Sequence, residues 1–442
     1  MFQRKLIAVL SVIALLAVTA GMGHASLSRV EGMGLSVPAL SQLTDDYVNI
    51  YAYPASVVRQ NNLVLAEIGN NPNESEDAFD PEDQSFTLIR NFPRFGVLAV
   101  QLKQSSLNSY TASSNSNNEW FDLIWGKAFS KMDFAVRLDV SSSSFETNFD
   151  FGTPGSFEER GFTGFYGSDP YPFGAAFFED AIIDGGLEVN TVGVTPSIAL
   201  HMSNDNRLDL AATYRTFSLD RSTSGAFFGT GETWEDGGNA SYALLARYFM
   251  NKSAASQWYL AGWYTNDDLS WEVTGATLTP RSADESYKSY GVGISNNMRV
   301  NDNNLLLWGI AAWQTKHSYE RTDNNDAVAS GETKTLEEKN FVLPVLFAAV
   351  ETQATSWLKV RIGATNMVNR TEDDFTDFDA PTGTANDKAT FTDFNLSLGT
   401  GIRWNNLDID MTLNEEFPFT GGNFLSGSEQ AAFTRVSGTY HF

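Results

Sequence analysis

The sequence predicts an all-β fold, a transmembrane antiparallel β-barrel of about fourteen strands with a plug-like N-terminal segment. Three observations lead there. The first is alternation. Leu407, Ile409, Met411 and Leu413 fall on one side of an extended chain, with Asp408, Asp410, Thr412 and Asn414 on the other. Met132, Phe134, Val136, Leu138 and Val140 oppose Asp133, Arg137 and Asp139 in the same way. Phe394, Leu396, Leu398, Ile402 and Trp404 oppose Asp393, Asn395, Ser397 and Arg403. A period of two with charge on one face suits a wall with lipid outside and polar filling inside. The second observation is the spacing of connections. Tight turns fall near Ser130-Lys131, Asn204-Asp205-Asn206, Asn251-Lys252, Asn301-Asp302-Asn303, Gln353-Ala354 and Asn405-Asn406. Between them lie long connections near 105–118, 146–187, 219–238, 266–284, 320–333, 367–390 and 415–430. With the C-terminus in the periplasm, every short turn lands there and every long connection lands outside, the arrangement of outer-membrane barrels. The third is that only one uninterrupted apolar run occurs, at the extreme N-terminus, so any embedding must use strands, and strands cross a bilayer only in a closed barrel.

Residues 1–25 read as an export signal. Arg4 and Lys5 form a basic start, Leu6 to Thr19 form an apolar run, and Gly23-His24-Ala25 ends in a small residue suited to cleavage before Ser26. Residues 26–60 form the plug or hatch segment, and residues 61–442 the barrel. Strands are expected near 95–104, 119–129, 132–145, 188–202, 206–218, 239–250, 256–265, 285–298, 303–318, 335–350, 355–366, 391–404, 407–414 and 432–442. Leu63 to Gly69 and Phe86 to Ile89 add a leading hairpin in the alternative of sixteen strands. Trp120, Trp125, Trp258, Trp263, Trp308, Trp313, Trp357 and Trp404 fall in or beside strands, and some of them belong to the aromatic girdles at the two interfaces. The expected inner face carries both signs of charge: Arg137, Asp139, Arg207, Asp209, Arg215, Lys359, Arg361, Asp393, Arg403, Asp408, Asp410 and Arg435. Mixed charge suits salt bridges across a lumen or to an inserted segment, whereas a single-sign ring would suit an ion filter. The chain ends on Phe442, with Tyr440 and Val436 on the same face.

Composition narrows the chemistry. An exported chain with no cysteine has no disulfide framework, no lipid-anchored N-terminus and no thiolate metal site. A net charge of −25 argues against nucleic acid as a partner. The acid clusters at Glu74 to Asp83, Asp323 to Asp326 and Glu372 to Asp379 read as solvated loops, or as weak sites for a divalent cation near lipopolysaccharide. Asp373, Asp374, Asp377 and Asp379 are spaced a little like calcium ligands but lack the turn glycine and terminal Glu of an EF-hand loop. His201, His317 and His441 show no nucleophile and orienting partner of the kind a hydrolase needs, and no nucleotide or paired-His metal motif occurs, so no enzyme and no cofactor are expected.

The mature N-terminus reads Arg29-Val30-Glu31-Gly32-Met33-Gly34, then Ser36-Val37-Pro38-Ala39-Leu40, Asp45-Asp46-Tyr47, and Asn49 through Tyr53-Pro54-Ala55. This resembles the opening of FadL-type long-chain fatty-acid transporters and their PorV-like relatives. Those open on Gly-Met-Gly and close on Asn-Pro-Ala, and here Tyr53 stands where the Asn would be. The resemblance implies a lumenal hatch that includes Gly32, Gly34, Asp45, Asp46 and Pro54. Independently of it, a segment with Gly32, Gly34 and Pro54 does not suit a lipid-facing strand, because Gly and Pro break the ladder. A simple periplasmic tail is the alternative, although Leu35, Val37, Leu40, Val48 and Ile50 are more apolar than tails require.

The longest connection, Phe145 to Ala181, holds Phe149, Phe151, Phe157, Phe162, Phe165, Tyr166, Tyr171, Phe173, Phe177 and Phe178. Rings at that density pack on one another over the mouth, form a capture groove for an apolar ligand, or meet a protein partner. The ligand-binding candidates are Phe157, Phe162, Phe165, Tyr166, Phe173 and Phe177. The expected function is passive uptake of hydrophobic small molecules of fatty-acid or hydrocarbon type. A general or cation-preferring porin, or a structural outer-membrane protein without transport, is the alternative. The expected partners are outer-membrane lipid and lipopolysaccharide, a hydrophobic small-molecule ligand and the barrel-assembly machinery.

Overall fold

The structure is a computed structural model that describes residues 26–35, 38–60, 62–69, 83–104, 119–148, 184–223, 232–236, 239–253, 255–275, 281–323, 332–376, 384–413 and 433–442. Among these, seventeen strand segments form a single sheet. They are β1 (Leu63–Gly69), β2 (Asp83–Phe92), β3 (Gly96–Gln104), β4 (Glu119–Ala128), β5 (Met132–Asn148), β6 (Asp184–His201), β7 (Arg207–Thr223), β8 (Glu232–Asp236), β9 (Asn239–Ser253), β10 (Ser256–Gly275), β11 (Arg281–Asn301), β12 (Asn304–Asp323), β13 (Glu332–Gln353), β14 (Leu358–Thr376), β15 (Thr384–Trp404), β16 (Leu407–Leu413) and β17 (Phe433–His441). β8 and β9 pair with successive lengths of β10, so together they make one stave and the wall counts sixteen. Every pairing is antiparallel, and the first and last strands close the ring, from Leu63 opposite His441 to Gly69 opposite Arg435. The leading hairpin is therefore part of the wall, and it completes the barrel. No described helix is long and apolar enough to cross a membrane, and the wall that does so is a bacterial outer-membrane barrel of strands.

Burial follows the alternation. Met132, Leu138 and Val140 face outward while Asp133, Arg137 and Asp139 are buried. Two bands of rings mark the lipid boundary. Near the short turns Trp125, Trp258, Trp308, Trp357 and Trp404 face outward, with Trp258 and Trp308 edge to face at 5.5 Å. Farther out, Tyr214 and Tyr242 lie 5.4 Å apart on the outer face beside the exposed Tyr264 and Tyr290. Amphipathic rings settle where hydrocarbon meets water, so the two bands bracket the membrane. Trp120, Trp263 and Trp313 are different. They alternate with the outward set and face the lumen.

Three expectations are corrected. The long connections are shorter than expected, because β10 runs to Gly275, β14 to Thr376, and β15 starts at Thr384. These extensions carry polar residues on both faces, as strands do beyond the bilayer, and so lack the apolar outer face that reveals a strand in sequence. On these extensions Lys388 reaches Glu372 at 2.6 Å, beside an ion-paired group of Lys316 on β12 with Glu337 and Lys339 on β13. Secondly, Glu372, Asp373 and Asp374 belong to β14 instead of a solvated loop. Successive residues of a strand point to opposite faces, so Asp373 and Asp374 do not converge on one ion. Thirdly, Asn251 and Lys252 lie within β9. The Asn251 side chain accepts a hydrogen bond from Gln257 on β10 at 2.8 Å, which extends the pairing past the expected turn.

Candidate functional site

The site is built on residues 26–60. Helix α1 (Leu27–Glu31) is capped by Ser26, whose Oγ accepts the Arg29 N–H at 3.2 Å. The chain leaves it through Gly34 at φ +73°, a left-handed conformation that glycine adopts without Cβ strain. A one-turn helix α2 (Pro38–Ser41) and 3-10 turns at Tyr47–Ile50 and Pro54–Arg59 follow. Pro54 opens its turn at a position where the missing N–H costs nothing. Barrel side chains donate to this segment from all around the ring. Thr412 on β16 bonds the Ser28 carbonyl at 2.9 Å, and Thr365 on β14 bonds that of Gly34 at 2.6 Å. Ser295 on β11 bonds Leu43 at 2.8 Å, Arg247 on β9 bonds Thr44 at 3.0 Å, and Arg137 on β5 bonds Tyr51 at 2.9 Å. A segment this short reaches strands on every side of a closed ring only from inside it.

Packing fixes its depth. Val30, Met33, Leu35, Leu40, Leu43, Val48, Ile50 and Val57 are buried in one cluster with Leu63, Ile89, Ile124, Leu307 and Phe347 of the wall. Two backbone approaches require small residues. A Cβ on Gly363 would lie 2.0 Å from the Met33 carbonyl oxygen, and one on Gly32 would lie 2.9 Å from the Gly399 Cα.

Charge pairs complete the seat. Arg29 bridges Asp46 at 2.6 Å and Glu351 at 2.7 Å, and Arg361 bridges Glu351 at 2.7 Å and Asp410 at 2.8 Å. Asp45 lies among Arg207 at 3.0 Å, Arg247 at 3.5 Å and Arg59 at 3.6 Å. Burial disfavours the Asp45 carboxylate, but Arg207, Arg59 and Arg247 outweigh it and hold its pKa below the ordinary 3.8. Asp46 goes the other way, raised by burial against the pull of Arg29. A depressed carboxylate contributes stability that is complete above its unfolded pKa and is lost only as pH falls through its folded pKa. A raised one is stabilised by taking up its proton. Both signs keep the segment seated in mild acid. Limited proteolysis at about pH 4, near the unperturbed carboxylate pKa, should leave residues 26–60 protected, with release only in stronger acid. Release already at that pH would contradict this account of Asp45.

Outward of this segment the lumen carries two rows set by cross-strand register. The inner row reads Ala211, Leu245, Trp263, Gly291, Trp313, Val342, Asn369 and Phe391 across β7 to β15. Trp263 and Trp313 lie 6.3 Å apart over Gly291, and Phe391 is 51% exposed although it faces inward. One layer nearer the periplasm, Leu43 packs against Gly293. The row is thus an apolar shelf directly outside the plug. The next charged row reads Asp122, Asp139, Gly193, Arg215, Ser241, Asp267, Tyr287, His317, Glu338, Asp373 and Asp387. It is mostly acidic, while the inner face as a whole carries both signs in pairs such as Arg137 with Asp122, Arg215 with Asp139 and Arg435 with Glu31 of the plug. Within it Arg215 is fully buried, bonds Asp139 at 2.8 Å, lies over the Trp120 ring at 5.3 Å and leaves both terminal nitrogens without a hydrogen-bond partner. His317 bonds Glu338 at 3.0 Å.

The wall is interrupted beside the shelf. Pairing between β6 and β7 lapses from Val194 opposite Tyr214 to Ser197 opposite Ala211, at Pro196, which has no N–H to donate. A cavity of about 520 Å³ opens there on the lipid side against Ala212, Leu244, Ala246 and Gly262, with Trp263 behind it.

Of the residues singled out from sequence, Gly32, Gly34, Asp45, Asp46 and Pro54 all lie in the seated segment. Phe157, Phe162, Phe165, Tyr166, Phe173 and Phe177 lie outside the described residues, as do residues 1–25. Sequence reasoning missed Glu351, Glu67, Trp263 and Trp313 as lumenal partners. The alternation assigns them to a face but not to a neighbour.

No protein-family model and no curated protein sequence matches the chain. Solved structures of outer-membrane barrels do align with it. The toluene transporter TbuX of Ralstonia pickettii is 10% identical over 95% of this chain and 98% of that one, with a TM-score of 0.37. The siderophore receptor PiuA from Acinetobacter baumannii is 9% identical over 78% of this chain and 60% of that one, TM-score 0.39. A Pseudomonas aeruginosa FadL homologue is 8% identical over 97% of this chain and 99% of that one, TM-score 0.32. The likeness is one of barrel architecture.

Proposed function

We propose that this barrel takes up hydrophobic small molecules of fatty-acid or hydrocarbon type, passively, through a lumen closed at its periplasmic end by residues 26–60. The observation that carries the reading is the shelf of Leu245, Trp263, Trp313, Val342 and Phe391 immediately outside the plug. A channel for hydrated solutes has no use for apolar rings in its waist, because water there gains no partner from them. The aromatic connection at 145–181 supplies a first landing surface outside, and the shelf a second one within. The acidic row beyond the shelf repels anions, so it opposes a carboxylate-bearing ligand more than a neutral hydrocarbon. Removal of residues 1–25 as an export signal belongs to the same reading.

Binding of a fluorescent fatty acid, displaced by unlabelled hydrocarbons and fatty acids, tests it. At roughly 25 cal/mol per Å² of apolar surface, loss of the Trp263 and Trp313 rings weakens affinity about tenfold or more. The Trp263→Ala/Trp313→Ala variant should show that loss and keep its heat-modifiable mobility. Replacing Phe157, Phe162, Phe165, Tyr166, Phe173 and Phe177 by Ser should lower capture further. Unchanged binding in both variants removes the reading.

The acidic row favours a second reading, a cation-preferring pore. Steady cation-selective conductance from the intact protein in planar bilayers would establish it in place of uptake.

A further inference from the structure

We infer that a processing site lies between Ala25 and Ser26, and that the α-ammonium it creates seats on the buried carboxylates of Glu67 and Asp410 and locks the plug. The inference is independent of the ligand. Ser26 is buried, and its Oγ donates to Asp410 Oδ2 at 2.9 Å. The next backbone nitrogen, that of Leu27, donates to Glu67 Oε1 at 2.8 Å. The nitrogen of Ser26 is one residue away from that bond, so the same carboxyl group is within its reach.

Charge makes the case. Arg29 serves Asp46 and Glu351, Arg361 serves Glu351 and Asp410, and Arg435 serves Glu31. Glu67 is 4% exposed and has no ion-pair partner among the described residues. It accepts instead from Leu27 N, Tyr47 Oη at 3.1 Å, Ser437 Oγ at 3.0 Å and Ser85 Oγ at 3.4 Å. These neutral donors satisfy the hydrogen bonding of Glu67 but leave its buried negative charge without a countercharge among the described residues. Water adding across the Ala25–Ser26 peptide bond leaves a carboxylate on Ala25 and an amine on Ser26, which takes up a proton. An amide nitrogen, as in the uncleaved chain, cannot supply that charge. Cleavage before Ser26 thus converts a neutral link into the missing cation at the place where Glu67 waits for it. The exporting cell's leader peptidase supplies the hydrolysis, and the plug is fastened only afterwards.

The experiment uses the full-length protein purified from outer membranes. Its N-terminal mass should begin at Ser26. At about pH 7, where an α-amine reacts ahead of lysine, the folded barrel should be acetylated at Ser26 at least about tenfold more slowly than the unfolded chain, because reaction requires local opening. Glu67→Gln should restore fast acetylation while the barrel keeps its heat-modifiable mobility. A chain carrying two extra residues before Ser26 after cleavage should lose protease protection of residues 26–60. A mature terminus elsewhere, acetylation of the folded parent at the unfolded rate, or full protection of the extended chain would each overturn the inference. If Glu67→Gln fails to fold, the extended chain decides.

Discussion

Deleting residues 26–55 should turn a barrel of little or no conductance into one with large stable steps in planar bilayers. Sixteen strands enclose a lumen wide enough for an aqueous channel unless something fills it. Here the filling is Val30, Leu35, Leu40, Leu43 and Ile50 packed against the wall, with Arg29, Asp45 and Asp46 paired to it. The ladder itself contains none of these residues, since β1 begins at Leu63 and pairs directly with β17. The shortened chain therefore keeps its hydrogen-bonded ring, and heat-modifiable mobility should persist. What changes is the lumen, where water replaces the plug around Arg137, Arg247 and Arg361. An equal conductance from the parent and the deleted chain would show that residues 26–60 do not close the barrel.

The second expected result needs one substitution. Arg29→Met keeps the length of the side chain but removes the cation shared by Asp46 and Glu351, which are 5% and 11% exposed. Glu351 retains Arg361, whereas Asp46 loses its ion pair. Breaking a buried pair from one side costs about 3–5 kcal/mol, because the remaining charge stays desolvated. At 1.4 kcal/mol per factor of ten, the unseated state of the plug becomes roughly a hundred- to a few-thousandfold more populated. The measurement is protease protection of residues 26–60 together with channel activity, and both should move while the barrel stays folded. A double variant, Arg29→Met with Asp46→Asn, should recover part of the loss, since no orphaned charge is left at Asp46. If Arg29→Met leaves protection and conductance at parental levels, the ion pair is not what holds the segment.

Part of this arrangement is legible in the amino-acid sequence alone. The inward and outward faces of β5 were legible because Asp133, Arg137 and Asp139 alternate with Met132, Leu138 and Val140, and a wall between lipid and a polar interior uses that pattern. The outer ends of β10 to β15 were not legible. Once a strand leaves the bilayer both faces are wet, and Glu372 and Lys388, which pair across β14 and β15, look like loop residues. The leading hairpin stood as an alternative, because Leu63–Gly69 is short and its partner in closure, β17, lies at the far end of the chain.

Periodicity, turn spacing and the lack of a second apolar run determined the barrel and the sidedness of its loops. Those properties are local, fixed by which residues alternate over ten or so positions. The sequence also marked Gly32, Gly34, Asp45, Asp46 and Pro54 as belonging to something other than the wall. Only the tertiary structure decided what they meet. Closure brings Ser26 to Asp410, Ser28 to Ser437 and Arg29 to Glu351, contacts that span most of the chain. Register likewise decided that Trp263 and Trp313 share a row with Val342 and Phe391, and that Asp139, Asp267, Glu338 and Asp373 share another. A shift of one residue in any pairing would send each of those side chains to the opposite face. Alternation says that a side chain points inward, and the ladder alone says beside whom.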